Sequence, residues 1–265
     1  MSLPKPYYQD DWATIYHGDC REILPLLPKV DLVLTSPPYG NMRDYKKNTW
    51  NFGNTARGIE SLLKKGSICV WIEGDQTEKG SESGDSFTHA LFFKSIGLNL
   101  HDTMIYMKDG LPFPESTRYQ PIFEYMFVFS KVKPKTFNPI KKKNIWGAMV
   151  RREFERQKDG TVKSENNRYT LDEGNLGNVW LYGTGYMKSS TDPIAFEHPA
   201  IFPDALAKDH IKSWSNEGET ILDPFMGSGT TLRSAKDLKR KSIGIEISKE
   251  YCDIAVKRLR QEVLI

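Results

Sequence analysis

Apolar and polar positions follow two regimes along the chain, separated by a stretch that follows neither. In the N-terminal part, short apolar runs alternate with segments of helical spacing. Ala13 to His17 (ATIYH) and Val30 to Thr35 (VDLVLT) have the β-branched, apolar composition of strands, and Arg21 to Leu27 fits a helical turn between them. The spacing predicts a helix over Ile59 to Lys65 with Gly66 as its stop, a buried strand over Ser67 to Glu73 (SICVWIE), and a helix over Phe87 to Ile96 ending at Gly97. Leu98 to Met107 and Ile122 to Ser130 (IFEYMFVFS) read as later strands of the same sheet.

Alternation returns near the C-terminus. Pro203 to Trp214 reads as a helix with proline near its start, Thr220 to Asp223 as a strand and Gly229 to Leu238 as a helix. Ser242 to Ile247 (SIGIEI) reads as a strand and Lys249 to Arg260 as a helix. Strands alternating with helices predict an α/β fold, a doubly wound and mostly parallel sheet. The interruption runs from about Lys131 to Asp192. It is polar and basic, with isolated aromatics such as Phe137, Trp146, Phe154, Tyr169 and Trp180. The chain therefore divides into residues 1–130 and 193–265, two halves of one domain, and an inserted segment, 131–192.

Charge sharpens this picture. The whole chain of 265 residues carries only +3, but residues 131–168 hold 12 Lys or Arg against four acids, +8, which leaves −5 for the rest. A basic segment on a mildly acidic body suits a polyanion, though a solvated loop with surface lysines has the same composition. Cys20, Cys69 and Cys252 are odd in number and far apart, so buried thiols are expected rather than disulfides or a metal centre. No apolar run reaches the roughly 18 to 20 residues of a membrane span, and the polar start MSLPKPYYQDD has no signal core. The expected location is cytoplasmic, with no membrane partner.

Two turns carry candidate chemistry. DPFMGSGTT (Asp223 to Thr231) follows an apolar strand and opens a helix. Gly227 and Gly229 let the backbone turn sharply and approach a ligand, and free N–H groups at the helix start bind anionic groups. The segment is neither GxxxxGK[ST] nor GxGxxG, because Leu232 stands three residues beyond Gly229. Glu246 ends the next strand, 23 positions after Asp223. An acid at that distance from a glycine turn suits the hydroxyl pair of a ribose, so the two imply a nucleoside-containing cofactor. Alone, Glu246 would be an ordinary polar strand end. TSPPYG (Thr35 to Gly40) also ends an apolar strand. Pro37 and Pro38 fix the backbone and leave carbonyls as acceptors, Ser36 adds a hydroxyl, and Tyr39 adds a flat face. An aromatic amine needs such a rigid, acceptor-rich turn beside a stacking surface. A plain proline turn is the other reading.

TSPPYG followed by DPFMGSGTT and GIEIS resembles the amino-methyltransferases of DNA in the circularly permuted order called the β group. The resemblance covers about Tyr16 to Asp44 and about His198 to Leu259. It implies a Rossmann-like S-adenosylmethionine-dependent methyltransferase fold with an inserted target-recognition segment. It places Ser36, Pro37, Pro38 and Tyr39 in the catalytic turn, and Asp223, Phe225, Gly227 and Gly229 around S-adenosylmethionine. Glu246 would hold the ribose and Asp19, in HGDC, would contact the adenine. HPAIFP, including Phe202, would lie near the methionine end. The resemblance further implies double-stranded DNA as partner, base flipping, and a companion restriction nuclease as a candidate partner. No cysteine stands in TSPPYG, which argues against covalent attack on a cytosine ring. In this family a serine at the first position of the tetrad is associated more with cytosine N4 and an aspartate more with adenine N6. Cytosine N4 is therefore the favoured target. Adenine N6, an RNA or protein amide, and a module that binds nucleic acid without catalysis are the alternatives. The polar loop 40–54 fits either a cover over the site or plain surface.

Overall fold

The computed structural model describes residues 2–38, 51–110, 117–143 and 149–261. Tyr39, expected in the catalytic turn, and most of loop 40–54 lie outside the described residues. In chain order the elements are β1 (Tyr8–Gln9), β2 (Ala13–His17), α1 (Cys20–Ile23), β3 (Val30–Thr35), α2 (Phe52–Leu62), β4 (Leu63–Glu73), β5 (Thr77–Glu78), β6 (Ser81–Glu82), α3 (Asp85–Ser95), β7 (Asn99–Lys108) and β8 (Phe123–Ser130). They continue with β9 (Lys141–Lys143), β10 (Met149–Arg156), β11 (Val162–Thr170), β12 (Glu173–Asn175), β13 (Val179–Tyr182), α4 (Asp204–Trp214), β14 (Thr220–Asp223), α5 (Thr230–Asp237), β15 (Lys241–Glu246) and α6 (Lys249–Arg260).

Among the described residues, nine strands form one sheet in the order β1-β2-β15-β14-β3-β4-β8-β7-β13. The five from β2 to β4 run parallel. β8 is antiparallel to both its neighbours, and β13 runs parallel to β7. The C-terminal ends of β2, β3, β4, β7, β13, β14 and β15 therefore share one edge with the start of β8. Strands β3, β4 and β14 are almost wholly buried, as expected of a parallel sheet covered on both faces. The core joins Val33, Cys69, Trp71 and Phe129 of the sheet to Ala56, Ile59 and Leu62 of α2 and to Phe93 of α3. Ala13 and Ile15 of β2 pack with Leu232 of α5 and with Cys252, Ala255 and Leu259 of α6. This is the doubly wound, mostly parallel sheet expected.

Several boundaries differ from expectation. The helix foreseen over 59–65 is α2, which starts at Phe52 because Asn51 caps it, accepting from Asn54 N at 3.2 Å. Thr55, Ala56, Ile59 and Leu62 form its buried stripe. Gly66 does not stop this helix. It lies inside β4 at φ +81°, where an added Cβ would come within 3.3 Å of the Lys135 backbone nitrogen, which donates to its carbonyl.

The chain separates into two compact units, Met1–Asn138 with Asn178–Ile265, and Pro139–Gly177. The segment expected over 131–192 is thus divided. Residues 131–138 and 178–192 belong to the larger unit, because Val179–Tyr182 pairs with β7 as the sheet's edge strand. The smaller unit contains an antiparallel hairpin, β10 with β11, and the pair β9 with β12. Its hairpin turn is closed by Gly160 at φ +84° and by Asp159, which accepts from Thr161 N at 2.9 Å. Phe154, Val162 and Leu171 are exposed there. Among the described residues, no helix is long and apolar enough to cross a membrane.

Candidate active site

The sheet fixes where a ligand binds. From β14 the chain crosses through α5 to β15, and from β3 it crosses through α2 to β4, in the opposite direction. β14 and β3 are neighbours, so the crevice between their C-terminal ends is a topological switch point, where open α/β sheets bind ligands. Both candidate turns leave from it, Ser36-Pro37-Pro38 from β3 and the glycine turn from β14.

Asp223 fastens the two turns together. Its Oδ1 accepts from Thr35 Oγ1 at 2.7 Å and from Phe225 N at 3.0 Å, and its Oδ2 accepts from Thr231 Oγ1 at 2.7 Å. The side chain is 1% exposed. Burial pushes its pKa up to about 6, against the pull of these hydrogen bonds. It does not line the cavity, so its place is beneath the turn.

Gly227 has φ +49°, and a Cβ there would stand 3.0 Å from His198 Nε2. Its amide donates to Glu246 Oε2 at 3.0 Å, while Ser248 N donates to Oε1 at 2.8 Å. Burial raises the Glu246 pKa, and the backbone amides oppose it. Each carboxylate oxygen thus spends one acceptor position on the backbone and keeps another, which suits the two O–H donors of a ribose. Gly229, at φ +78°, caps α5 and does not line the cavity. A Cβ there would come within 2.9 Å of Ala255 Cβ, so its smallness serves the packing of α6.

A cavity of about 610 Å³ opens along this edge of the larger unit. That volume is in the range of small-molecule sites. Of the expected residues, Ser36, Pro37 and Pro38 line it, as do Asp19, Phe202, Phe225, Gly227 and Glu246. Asp19 caps α1 through Arg21 N at 2.8 Å, and the Arg21 guanidinium beside it lowers its pKa.

Two features escaped the sequence reading, Arg258 and the group Tyr106, Lys108 and Glu124, while His198 was included only as part of HPAIFP. Arg258 of α6 is completely buried and gathers the surroundings of the glycine turn. It donates to Asp192 Oδ2 at 2.8 Å, Asp204 Oδ1 at 3.2 Å, the Ser228 carbonyl at 3.0 Å and Thr230 Oγ1 at 3.0 Å. Its position on the stripe Ile254, Ala255, Arg258, Leu259 was the available signal. His198 lines the cavity below Gly227 and accepts from Ala200 N through Nδ1 at 3.1 Å. Tyr106, Lys108 and Glu124 line the cavity at its other end. Nearby, Glu73 at the end of β4 binds Trp71 Nε1 at 2.9 Å and His89 Nδ1 at 2.7 Å. Among the described residues, no group of three His, Cys, Asp or Glu is arranged to hold a metal.

Fold and cavity together define an α/β protein with a small-molecule-sized cavity at a sheet switch point. Comparison with known proteins narrows this. A family model described as DNA methylase matches residues 30–257. The chain is 50% identical over 252 residues to the orphan methyltransferase M.BamHII of Bacillus amyloliquefaciens, covering 94% of this chain and 92% of the relative. It is 30% identical to the type II methyltransferase M.ScaI of Streptomyces caespitosus, over 98% of this chain and 86% of the relative. Among solved structures it resembles PvuII DNA methyltransferase (cytosine-N4-specific), with TM-score 0.69, 20% identity and coverage of 98% and 90%. It also resembles the M1.HpyAVI–SAM complex, with TM-score 0.60, 25% identity and coverage of 94% and 100%. The chain belongs to the N4/N6 family of DNA methyltransferases, which use S-adenosylmethionine. The residues present fit that cofactor: a cavity-lining glycine whose Cβ would crowd His198, and beside it a buried carboxylate with acceptor positions to spare.

Proposed function

We propose that this chain methylates N4 of cytosine in duplex DNA by direct transfer to a base flipped into the cavity, and that Ser36, Pro37 and Pro38 hold the reacting amine. The observation that carries this reading is the meeting of the Ser36–Pro38 turn with the Gly227–Glu246 pair in one cavity. When bound, S-adenosylmethionine would supply an electrophilic methyl group on a sulfonium, whose C–S bond breaks as the N–C bond forms, with a neutral thioether leaving and the nitrogen giving up one proton to solvent. Glu246 and Gly227 take the nucleoside part, with Asp19 and Phe225 lining the same end. Phe202 and His198 lie on HPAIFP, expected near the methionine part. Asp223 and Gly229 act one step away, by shaping the turn.

The Pro37 carbonyl and Ser36 Oγ accept hydrogen bonds from the exocyclic amine. That favours a pyramidal nitrogen whose lone pair is withdrawn from the ring and directed at the methyl carbon. Positioning of the two reactants supplies much of the acceleration. Tyr39 gives a stacking face for the base. The smaller unit, with part of the basic segment, takes the role of target recognition, and a companion nuclease is a candidate partner of the modified site. Serine rather than aspartate at position 36 favours cytosine over adenine.

Labelled S-adenosylmethionine offered to duplex DNA, RNA and protein tests the substrate class. Label in duplex DNA supports the reading, and label only in RNA or protein overturns it. Adenine N6 is the second outcome of the same chemistry, recognised by the nucleoside formed.

A further inference from the structure

The cavity is longer than its cofactor end. Glu246 stands on β15 and Lys108 on β7, five strand spacings apart, roughly 24 Å at ~4.8 Å each. The Ser36–Pro38 turn leaves β3, between them. Beyond it the antiparallel β8 brings Glu124 to this edge, with Tyr106 of β7 as its Cα partner across the strand pair. Lys108 Nζ lies 2.7 Å from Glu124 Oε1 and 5.9 Å from the centre of the Tyr106 ring. Tyr106 is 3% exposed, lines the cavity, and its hydroxyl bonds to no other described residue. Burial, with Glu124 and Asp109 nearby, pushes the phenol pKa up, so the hydroxyl stays a donor.

We propose that Tyr106 and Lys108, the latter held in place by Glu124, are specificity-determining residues that read the ring edge of the target base beside its amine. This rests on the function proposed above. With the amine at Ser36 and Pro37, cytosine presents N3 and then the carbonyl O2, two acceptors in a row. Adenine presents N1 and then a C–H. A phenol and an ammonium, both donors, match the first edge in full and leave one donor facing carbon on the second. Tyr106 is the buried donor of the two, and a buried donor left unmatched is how a polar pocket rejects the wrong ligand.

The test uses the full chain and the variants Tyr106→Phe, which removes only the hydroxyl, and Lys108→Met, which keeps the stem. The wild-type methylated position is first mapped on genomic DNA. Duplexes with cytosine or adenine at that position are then compared, alongside calorimetry with S-adenosylmethionine. Each variant is expected to bind the cofactor within twofold of wild type, to lose at least tenfold in kcat/KM on the cytosine duplex, and to narrow the cytosine-to-adenine ratio. Unchanged kcat/KM and ratio in both variants would overturn the proposal, as would parallel loss of cofactor affinity. A lower kcat/KM with an unchanged ratio and a shallower salt dependence would also overturn it, by making Lys108 a phosphate contact. A wild type that methylates no DNA base, or only adenine, would defeat the proposed function itself, and this inference with it.

Discussion

In the function proposed, Ser36 and Gly227 do different work, and single substitutions separate them. Ser36→Ala would remove the acceptor assigned to the reacting amine but no group at the cofactor end. Steady-state kinetics should show kcat lower by roughly ten- to a hundredfold, with the dissociation constant for S-adenosylmethionine unchanged in calorimetry. Gly227→Ala acts in the opposite sense. Its Cβ would meet His198 Nε2 at 3.0 Å in a left-handed backbone, so cofactor affinity should fall by about tenfold or more. Asp223 supplies a pH test. Its carboxyl rises from 3.8 to about 6 on folding. The folded state then holds the proton more tightly than the unfolded chain. The contribution to stability is therefore fully present below pH 4, falls as pH rises from about 4 to about 6, and is constant above. Asp223→Asn removes that fall. Urea unfolding at pH 4 and pH 7 should show the wild type losing on the order of 3 kcal/mol more than the variant. At this scale the sequence was most informative where a residue's chemistry is tied to a turn. Ser36, Gly227 and Glu246, which the structure brings to one cavity, could be singled out because strand, turn and spacing coincide. Asp223 and Gly229 were recognised as part of the motif but not as supports beneath it, since only packing shows which side of a turn faces the cavity.

Among the elements, α6 has the largest hidden role. Its apolar stripe carries a buried arginine in place of an aliphatic residue, and that arginine ties α6 to Asp192, Asp204 and the Ser228–Thr230 turn. Arg258→Met keeps the stem but leaves the buried acceptors unmatched. Thermal and urea unfolding should show a loss of roughly 3 to 5 kcal/mol, with weaker cofactor binding at temperatures where the variant is folded. β2, β3, β14 and α6 matched their predicted bounds because each has a strong apolar period and clear flanks. α2 was displaced because Phe52-Gly-Asn-Thr reads as a loop until Thr55 and Ala56 are seen to continue the buried stripe. β10 and β11 were missed because REFER and VKSEN carry charge rather than β-branched alternation. The Asp159–Gly160 pair was their one local signal. β13 was missed because only Trp180 of its four residues is buried.

For the whole molecule, the division into two units lets cofactor binding and the proposed recognition role be tested apart. Among the residues whose side chains are described, the buried ones all lie in the larger unit. Asn138, the last residue of the larger unit before the smaller one, is anchored to the carbonyls of Lys212 and Ser215, and Asn178, the first after it, to Asp102 and Thr103. Replacing 139–177 with a glycine–serine linker should leave S-adenosylmethionine affinity within a few-fold of wild type while abolishing methylation of DNA. Loss of both together would show that the units are not separable. The intact chain should also lose DNA affinity steeply as salt rises from 50 to 200 mM, as expected for a basic segment on phosphates. In the function proposed, a methyl group passes to a base amine of DNA, at cytosine. Nucleoside mass spectrometry of unmethylated genomic DNA after incubation with the protein and S-adenosylmethionine reads that product. N4-methylcytosine is the expected product. N6-methyladenine would contradict the assignment of the base, and DNA with no methylated nucleoside would contradict the transfer itself.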